Sequence, residues 1–436
     1  MRGARWVAAG LTDQLVIATA NAGATLLAAL VIHPEGRAGG LLLTIGLGYL
    51  VLGLNREFIG NVLLAQVSRL DGAERDRMVR NALAAAFAVG CVAALVLLAV
   101  WAFWRHPAPK ADLQDLVWLA PFLPAILVHD TGRYVYLSDR DPIRALRIDL
   151  VWITVQIALL VAGGLTLGMR PGLLPVSWGL GAVVGASVFL LLTRIAAWRG
   201  DPRRWLAETR KLSGWFTATG VIGQLQVQAV GFVVTGQLTP DQLTYLRAGQ
   251  TTLLQPVQNF VTAMMGLLVP RASRLAGAGD RAGLRRQTVR VAAGFAVLAV
   301  LAVAVMVPLA HLLIRYVPRL AYIGGLILPI SVQAGIYLVQ IPFAAAIRAM
   351  HRGRLLFTQY AIFTATSLTG LVTGAATAGL TGAAWGLTTG AAVGLVVFVG
   401  CYAWAVARLR SGSPDGSPDG SPDADPSTRN ASPASR

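Results

Sequence analysis

The sequence predicts an all-α polytopic membrane protein: about twelve transmembrane helices in two parallel six-helix bundles, with both termini cytoplasmic. Three observations carry this prediction. Of 436 residues, 55% are hydrophobic and 13% charged, against roughly 25% charged in soluble domains, and mean hydropathy is +0.62. Apolar runs of about 20 residues, enough to cross a ~30 Å hydrocarbon core at 1.5 Å per residue, recur from end to end. The basic residues between them alternate from side to side.

In chain order the runs are Leu11 to Ile32, Leu41 to Leu64, Asn81 to Phe103, Leu116 to Leu137, Ile148 to Leu167 and Val176 to Ala196. The second set is Gly214 to Gly236, Ala248 to Val269, Val289 to Ala310, Gly325 to Ile347, Leu356 to Ala378 and Leu380 to Ala407, the last two separated by a tight Gly379/Gly382 turn. Counted in alternate connections, Lys and Arg number 26 on the side of Arg2 and Arg5. The other side holds 7: Arg37, Arg105, Lys110, Arg170, Arg247, Arg315 and Arg319. The positive-inside rule places the richer side in the cytoplasm, and a miscounted span would break the alternation. The net charge of +17 is thus a topology signal first. It suits contact with anionic membrane lipids, and no nucleic acid partner is expected.

The first run is full-length and lacks an A-x-A site, so no cleavable signal peptide is expected. From Ser411 the chain repeats Gly-Ser-Pro-Asp without a large apolar residue, which predicts a disordered cytoplasmic tail. The expected organisation is 1–200 and 201–410 for the two bundles and 411–436 for the tail.

Cys91 and Cys401 both sit inside apolar runs, and the five histidines are scattered. No metal-ligand spacing or nucleophile constellation results, so neither an enzyme nor a metal or other cofactor is expected.

One segment recurs about 205 residues later. Leu63-Leu64-Ala65-Gln66-Val67-Ser68-Arg69-Leu70-Asp71-Gly72 aligns with Leu268-Val269-Pro270-Arg271-Ala272-Ser273-Arg274-Leu275-Ala276-Gly277, and Arg80 with Arg285. Six spans per half in the same orientation make a parallel repeat about an axis along the membrane normal, an arrangement that usually encloses a substrate cavity.

Asp13, Glu57 and Asp130 are read as the only acids clearly at membrane depth, beside Arg56 and Arg133. Each costs roughly 2.5–3.5 kcal/mol at a helix centre and needs a partner or a wet cavity. Asp13 and Arg56 both lie about 12 Å from the cytoplasmic helix ends, which makes them candidate neighbours. Asp130 and Arg133 share a face at i,i+3. Two readings stand side by side: ion pairs tying helices together, or the wall of a hydrophilic cavity. In the second half, Gln224, Gln226 and Gln228 are followed by Gln250, Gln255, Gln258 and Asn259. Amides both donate and accept, so this density points to a cavity for hydroxyl-rich ligands such as sugars. Helix–helix hydrogen bonding is the plainer alternative. Pro256, Pro329 and Pro342 mark helices that bend.

These residues resemble a known family. Asp13-Gln14 with Asn21, Pro34-Glu35-Gly36 with Gly39-Gly40, and Arg56 before Gly60-Asn61-Val62-Leu63-Leu64 carry the first part of the likeness. His129-Asp130 with Arg133-Tyr134, and Leu246-Arg247-Ala248-Gly249-Gln250-Thr251 with Pro256 and Asn259, carry the rest. Over roughly residues 5 to 408 the chain is similar to actinobacterial Wzx-like polysaccharide-biosynthesis flippases of the multidrug/oligosaccharidyl-lipid/polysaccharide (MOP) exporter superfamily. The resemblance implies two six-helix bundles around a V-shaped cavity that rocks between inward- and outward-open states. It implies that Arg56, Arg133 and Arg247 hold a pyrophosphate, that Asn21 belongs to the cavity, and that Asp13 couples transport to H+ or Na+. The amide-rich second half departs from the Arg-rich flippase pattern.

The leading expectation is a plasma-membrane flippase for a lipid-linked oligosaccharide, acting beside glycosyltransferases or a polymerase of the same pathway. A MATE-like cation-coupled exporter of small amphipathic molecules is the alternative. A major-facilitator carrier, for which Asp280-Arg281-Ala282-Gly283-Leu284-Arg285-Arg286 partly matches the loop signature, and a non-transporting scaffold of a glycan-assembly complex are further alternatives.

Overall fold

The computed structural model describes residues 35–104, 114–168, 170, 172–238, 242, 245–246, 249–316 and 324–409. The expected first span, with Asp13 and Asn21, lies outside them, as do Arg247 and the tail. Every regular element among the described residues is helical.

Helix α1 (Glu35–Asn55) passes through a π-helical turn (Arg56–Gly60) into α2 (Asn61–Gln66) and a closing 3-10 turn. Gly60 at that turn lets the Tyr134 ring approach, since a Cβ there would lie 2.9 Å from it. Next come α3 (Gly72–Trp104), then α4 (Leu116–Leu119) joined by a 3-10 turn to α5 (Leu123–Ser138). α6 (Pro142–Leu167) and α8 (Pro202–Gln237) start alike: Asp141 and Asp201 accept a backbone N–H, and proline fills the first helical position. α7 (Leu173–Thr193) lies between them.

A second π-turn, Gln250–Leu254, leads into α9 (Gln255–Gly277), followed by α10 (Arg281–Tyr316), α11 (Ile327–Ala349) and α12 (Gly353–Ala407). Pro256 sits in the first turn of α9 and Pro342 inside α11. α12 is two arms folded at Ala378 and Gly379, where φ reaches +60° and only glycine is unstrained. The expected turn is there, but Gly382 is not part of it. Gly382 instead packs against Gly374, where a Cβ would meet the Gly374 carbonyl at 2.1 Å, and Gly386 meets Gly370 in the same way. The arms therefore lie backbone to backbone along small residues.

Seven helices among the described residues are long and apolar enough to cross a membrane, as in a multi-pass membrane protein. That number treats the two arms of α12 as one helix. The segments carrying Arg56 and Glu57, and Asp130 and Arg133, are divided by π and 3-10 turns. Several helices outrun the expected spans: α8 and α10 have 36 residues each, about 54 Å at 1.5 Å per residue. The arginine-rich connections are thus largely helix extensions rather than loops.

The repeat is visible in the backbone. Arg140 (φ 60°) and His351 (φ 57°) are left-handed residues two positions past the ends of α5 and α11, as is Gly279 (φ 67°) past α9, whereas Gly72 (φ 62°) opens α3. Asp141 N–H bonds the Tyr136 carbonyl at 2.8 Å, as Arg352 N–H bonds that of Ile347 at 3.2 Å.

At the arginine-rich end the two halves share one core, in which Leu63, Leu64 and Val67 join Leu267, Val269 and Ile347. Toward the other end the buried groups separate, into Val230, Val234 and Leu326 on one side and Leu41, Ile45 and Leu160 on the other. The joined end is interlocked by the repeated Ser-Arg-Leu segments. Arg274 Nε donates to the Ser68 carbonyl at 2.8 Å, Arg69 donates to the Ala349 carbonyl, and His351 Nε2 meets the Ala65 carbonyl at 3.1 Å.

Candidate functional site

A cavity of about 760 Å³ lies between the halves, within the 300–1,000 Å³ usual for ligand pockets. The first half contributes residues 53–64 around the π-turn and residues 133–137 of α5. The second π-turn, α8, α9, α11 and α12 contribute the rest.

Its chemistry is dominated by amides. Asn61, Gln224, Gln226, Gln250, Gln255, Gln258 and Asn259 line it, joined by Gln333, Gln340 and Gln359. Several are held by one bond to the protein. Gln340 Nε2 donates to the Ala391 carbonyl at 2.9 Å, Gln333 to the Tyr337 hydroxyl at 3.0 Å, and Gln226 Oε1 accepts from Thr364 at 3.0 Å. An amide has two donor hydrogens and two acceptor lone pairs, so each keeps capacity for a ligand. Tyr134, Tyr337 and Tyr360 add aromatic surface with a polar tip.

The charged lining residues are Arg56, Glu57, Arg133 and Arg348. Arg56 Nε is 3.1 Å from both Asp130 oxygens, and its Nη2 is 2.8 Å from Oδ1. Arg133 Nε is 3.0 Å from Asp149 and its Nη1 3.9 Å from Asp130. His129 Nε2 reaches Asp149 at 3.5 Å and stacks near Trp152. Asp130 and Asp149 stand behind the wall and not on it, so they neutralise the two arginines from outside the cavity. Arg56 and Arg133 are therefore both ion-paired and on the cavity wall, whereas Asp130 is paired behind it.

Of the expected site residues, Arg56, Glu57, Arg133, Gln224, Gln255 and Asn259 line the cavity together. Asp130 is buried beside it. Gln228 lies on α8, of which only the backbone is described at that position, and Asp13, Asn21 and Arg247 fall outside the described residues.

One expectation is corrected: the acids at depth include Asp149, which is 0% exposed. It stands one residue inside the expected start of its span, where it reads as a boundary charge. Arg348, which belongs to the 26 basic residues that the alternation places on the cytoplasmic side, also lines the cavity. A signal for it existed, because Gln333, Tyr337, Gln340, Ala344 and Arg348 follow helical spacing and form one stripe of α11.

Among the described residues no group of three or more His, Cys, Asp or Glu is placed to hold a metal ion.

The chain matches no family model and no curated protein. Solved structures do match. The Vibrio cholerae MATE transporter VcmN, in its bent form, superposes with a TM-score of 0.76 at 14% identity, over 92% of this chain and 96% of that one. A MATE in complex with MaD3S gives 0.79 at 13% identity, over 93% and 95%. A MOP superfamily transporter from Pyrococcus furiosus, described as having a binding pocket of reverse polarity, gives 0.74 at 14%, over 93% and 95%. The chain has the MATE fold. In that fold its amide-lined cavity occupies the space between the two halves.

Proposed function

We propose that this chain is a transporter of the MOP superfamily that flips a lipid-linked oligosaccharide precursor, undecaprenyl-linked or similar, across the plasma membrane by alternating access. The observation that carries the reading is the cavity between the halves, with its ten amide side chains and three arginines. Amides suit the hydroxyls of a glycan, and arginines suit a phosphate. The lipid tail stays in the bilayer while the polar head crosses in the cavity.

In this reading residues 1–200 and 201–410 are six-helix bundles, twelve spans in all, with both termini and the arginine-rich end in the cytoplasm. The interlocked Arg69 and Arg274 segments then close the cytoplasmic side, and the halves rock apart there to load substrate. Asp13, Glu57 and Asp130 are the candidates for coupling to H+ or Na+. Glycosyltransferases or a polymerase of the same pathway would supply and consume the substrate.

The test is the leaflet distribution of lipid-linked glycans in a deletion strain. Wild type is expected to clear the cytoplasmic leaflet, and Gln224→Leu with Gln258→Leu to leave glycan accumulated there. An unchanged lipid pool with intact surface glycan would overturn the reading.

A MATE-like exporter of small amphipathic molecules is the second reading, favoured by the match to MATE transporters. It predicts drug resistance that depends on Asp13 and is insensitive to Arg56. The major-facilitator alternative gains nothing from these neighbours.

A further inference from the structure

We infer that Arg348 is the seat for the substrate's phosphate and that Glu57 is its resident counterion, displaced when the phosphate arrives. The inference rests on the flippase reading and adds the anion site to it.

Three arginines face the cavity, but they are not equivalent. Arg56 and Arg133 are held by Asp130 and Asp149, which do not line it. A ligand in the cavity would have to pull either arginine off a buried carboxylate and leave that charge unpaired, which is costly. Arg348 differs. Its partner Glu57 is the only acidic lining residue among those described, so a ligand in the cavity and Glu57 compete for the same guanidinium.

The Glu57–Arg348 contact is also weak. A single Nη2 to Oε1 distance of 3.5 Å exceeds the 2.7–2.9 Å of a good charge-assisted bond. Arg348 Nε is buried without a hydrogen-bond partner. A phosphate offers several oxygens and can take more than one guanidinium N–H at once, Nε included if the side chain turns toward it, which one distant carboxylate oxygen does not. Phe216 lies 5.8 Å from the guanidinium carbon and steadies its plane.

Glu57 is built to let go. Its other oxygen accepts from Asn61 Nδ2 at 2.8 Å, so its carboxylate keeps a partner after release. Gly220 makes room for its stem, since a Cβ there would lie 2.8 Å from Glu57 Cγ. Glu57 sits on the π-turn of the first half and Arg348 at the end of α11 in the second. Their pair is therefore a tie between the halves, and phosphate binding at Arg348 removes it.

The experiment uses the full chain in detergent, with tryptophan fluorescence as readout. Inorganic pyrophosphate and geranyl diphosphate are the probes, and geraniol is the uncharged control. Wild type is expected to bind both phosphate probes, and Arg348→Gln to bind them at least tenfold more weakly, the ~1.4 kcal/mol of a modest charged hydrogen bond. Glu57→Gln, which removes the competitor, is expected to bind about tenfold tighter. Arg348→Lys should recover part of the loss, and gel filtration confirms that each variant is folded.

Tighter binding of geranyl diphosphate than of pyrophosphate assigns the seat to a lipid-linked phosphate, and equal binding to free phosphate. Equal affinity in wild type and Arg348→Gln, unchanged or weaker affinity in Glu57→Gln, or no binding by wild type would each overturn the seat. The leaflet assay separates the two ideas. If glycan is cleared while Arg348→Gln binds like wild type, the seat fails and the flippase reading survives. If glycan is not cleared while the affinities follow the expected order, the seat stands and that reading fails.

Discussion

Asp149 holds together the charges of the first half, and its removal is the most damaging change expected at the scale of one residue. Its side chain and that of Arg133 are 1% and 3% exposed. Asp149→Ala leaves the guanidinium in low dielectric with a diminished set of acceptors, a change that costs about 3–5 kcal/mol when a buried pair is broken. Asp130→Ala is expected to cost less, because Arg56 retains 30% side-chain exposure and turns toward the cavity. Thermal melts of the purified variants check the order, and equal melting temperatures would contradict it. At this scale the sequence was half legible. Arg56, Arg133 and Asp130 stand out because charge at depth is costly. Asp149 and Arg348 do not, because each lies within a residue of an expected membrane boundary, where charge is ordinary.

Among the elements, the hairpin α12 depends on contact without side chains. Gly386→Leu would place a Cβ 2.0 Å from the Gly370 carbonyl oxygen, so the arms must separate. The expected result is a large loss of folded, detergent-soluble protein, whereas Gly400→Leu, with nothing within 4 Å, is tolerated.

The helix end after α11 carries a pH dependence. Burial, and then the Arg69 charge, push the His351 imidazole down to about 4 from its ordinary 6.5. Protonation therefore favours any state in which His351 is released into water. The stability it lends to the interlocked end is complete above about pH 6.5 and is lost as pH falls toward 4. The accessibility of a Ser273→Cys reporter, in a background lacking Cys91 and Cys401 and with each rate divided by that of a fully exposed cysteine at the same pH to remove the loss of thiolate, should rise across that window, and His351→Gln should flatten the response. A normalised accessibility independent of pH in the parent would refute the role. The π-turns at Arg56–Gly60 and Gln250–Leu254 belong to this scale too. They place Glu57 and Gln250 on the cavity wall, and no propensity or periodicity announces them.

For the whole molecule, the interlocked end predicts a mechanical test. Arg69 lies over Gly277, where a Cβ would stand 3.3 Å from Arg69 Cδ. With Arg69→Cys and Gly277→Cys, a short bis-methanethiosulfonate reagent should lock the halves together and abolish transport. Reductant should restore it. Transport that continues when the link is formed would exclude rocking at this end.

The sequence by itself determined the helical class and the membrane setting, because these rest on local quantities. Apolar length, arginine placement and a turn residue such as Gly379 are written along the chain and need no partner to act. It also marked the amides of α8 and α9, since polar residues at such density have few reasons to sit in an apolar run. Only the tertiary structure decided who pairs with whom. Arg56 takes Asp130, Arg133 takes Asp149, and Glu57 crosses the cavity to Arg348. A charge at membrane depth must find a counterion, but which one it finds depends on distances across helices. Those distances are set by how glycines and ring faces let the helices approach, and not by separation along the chain.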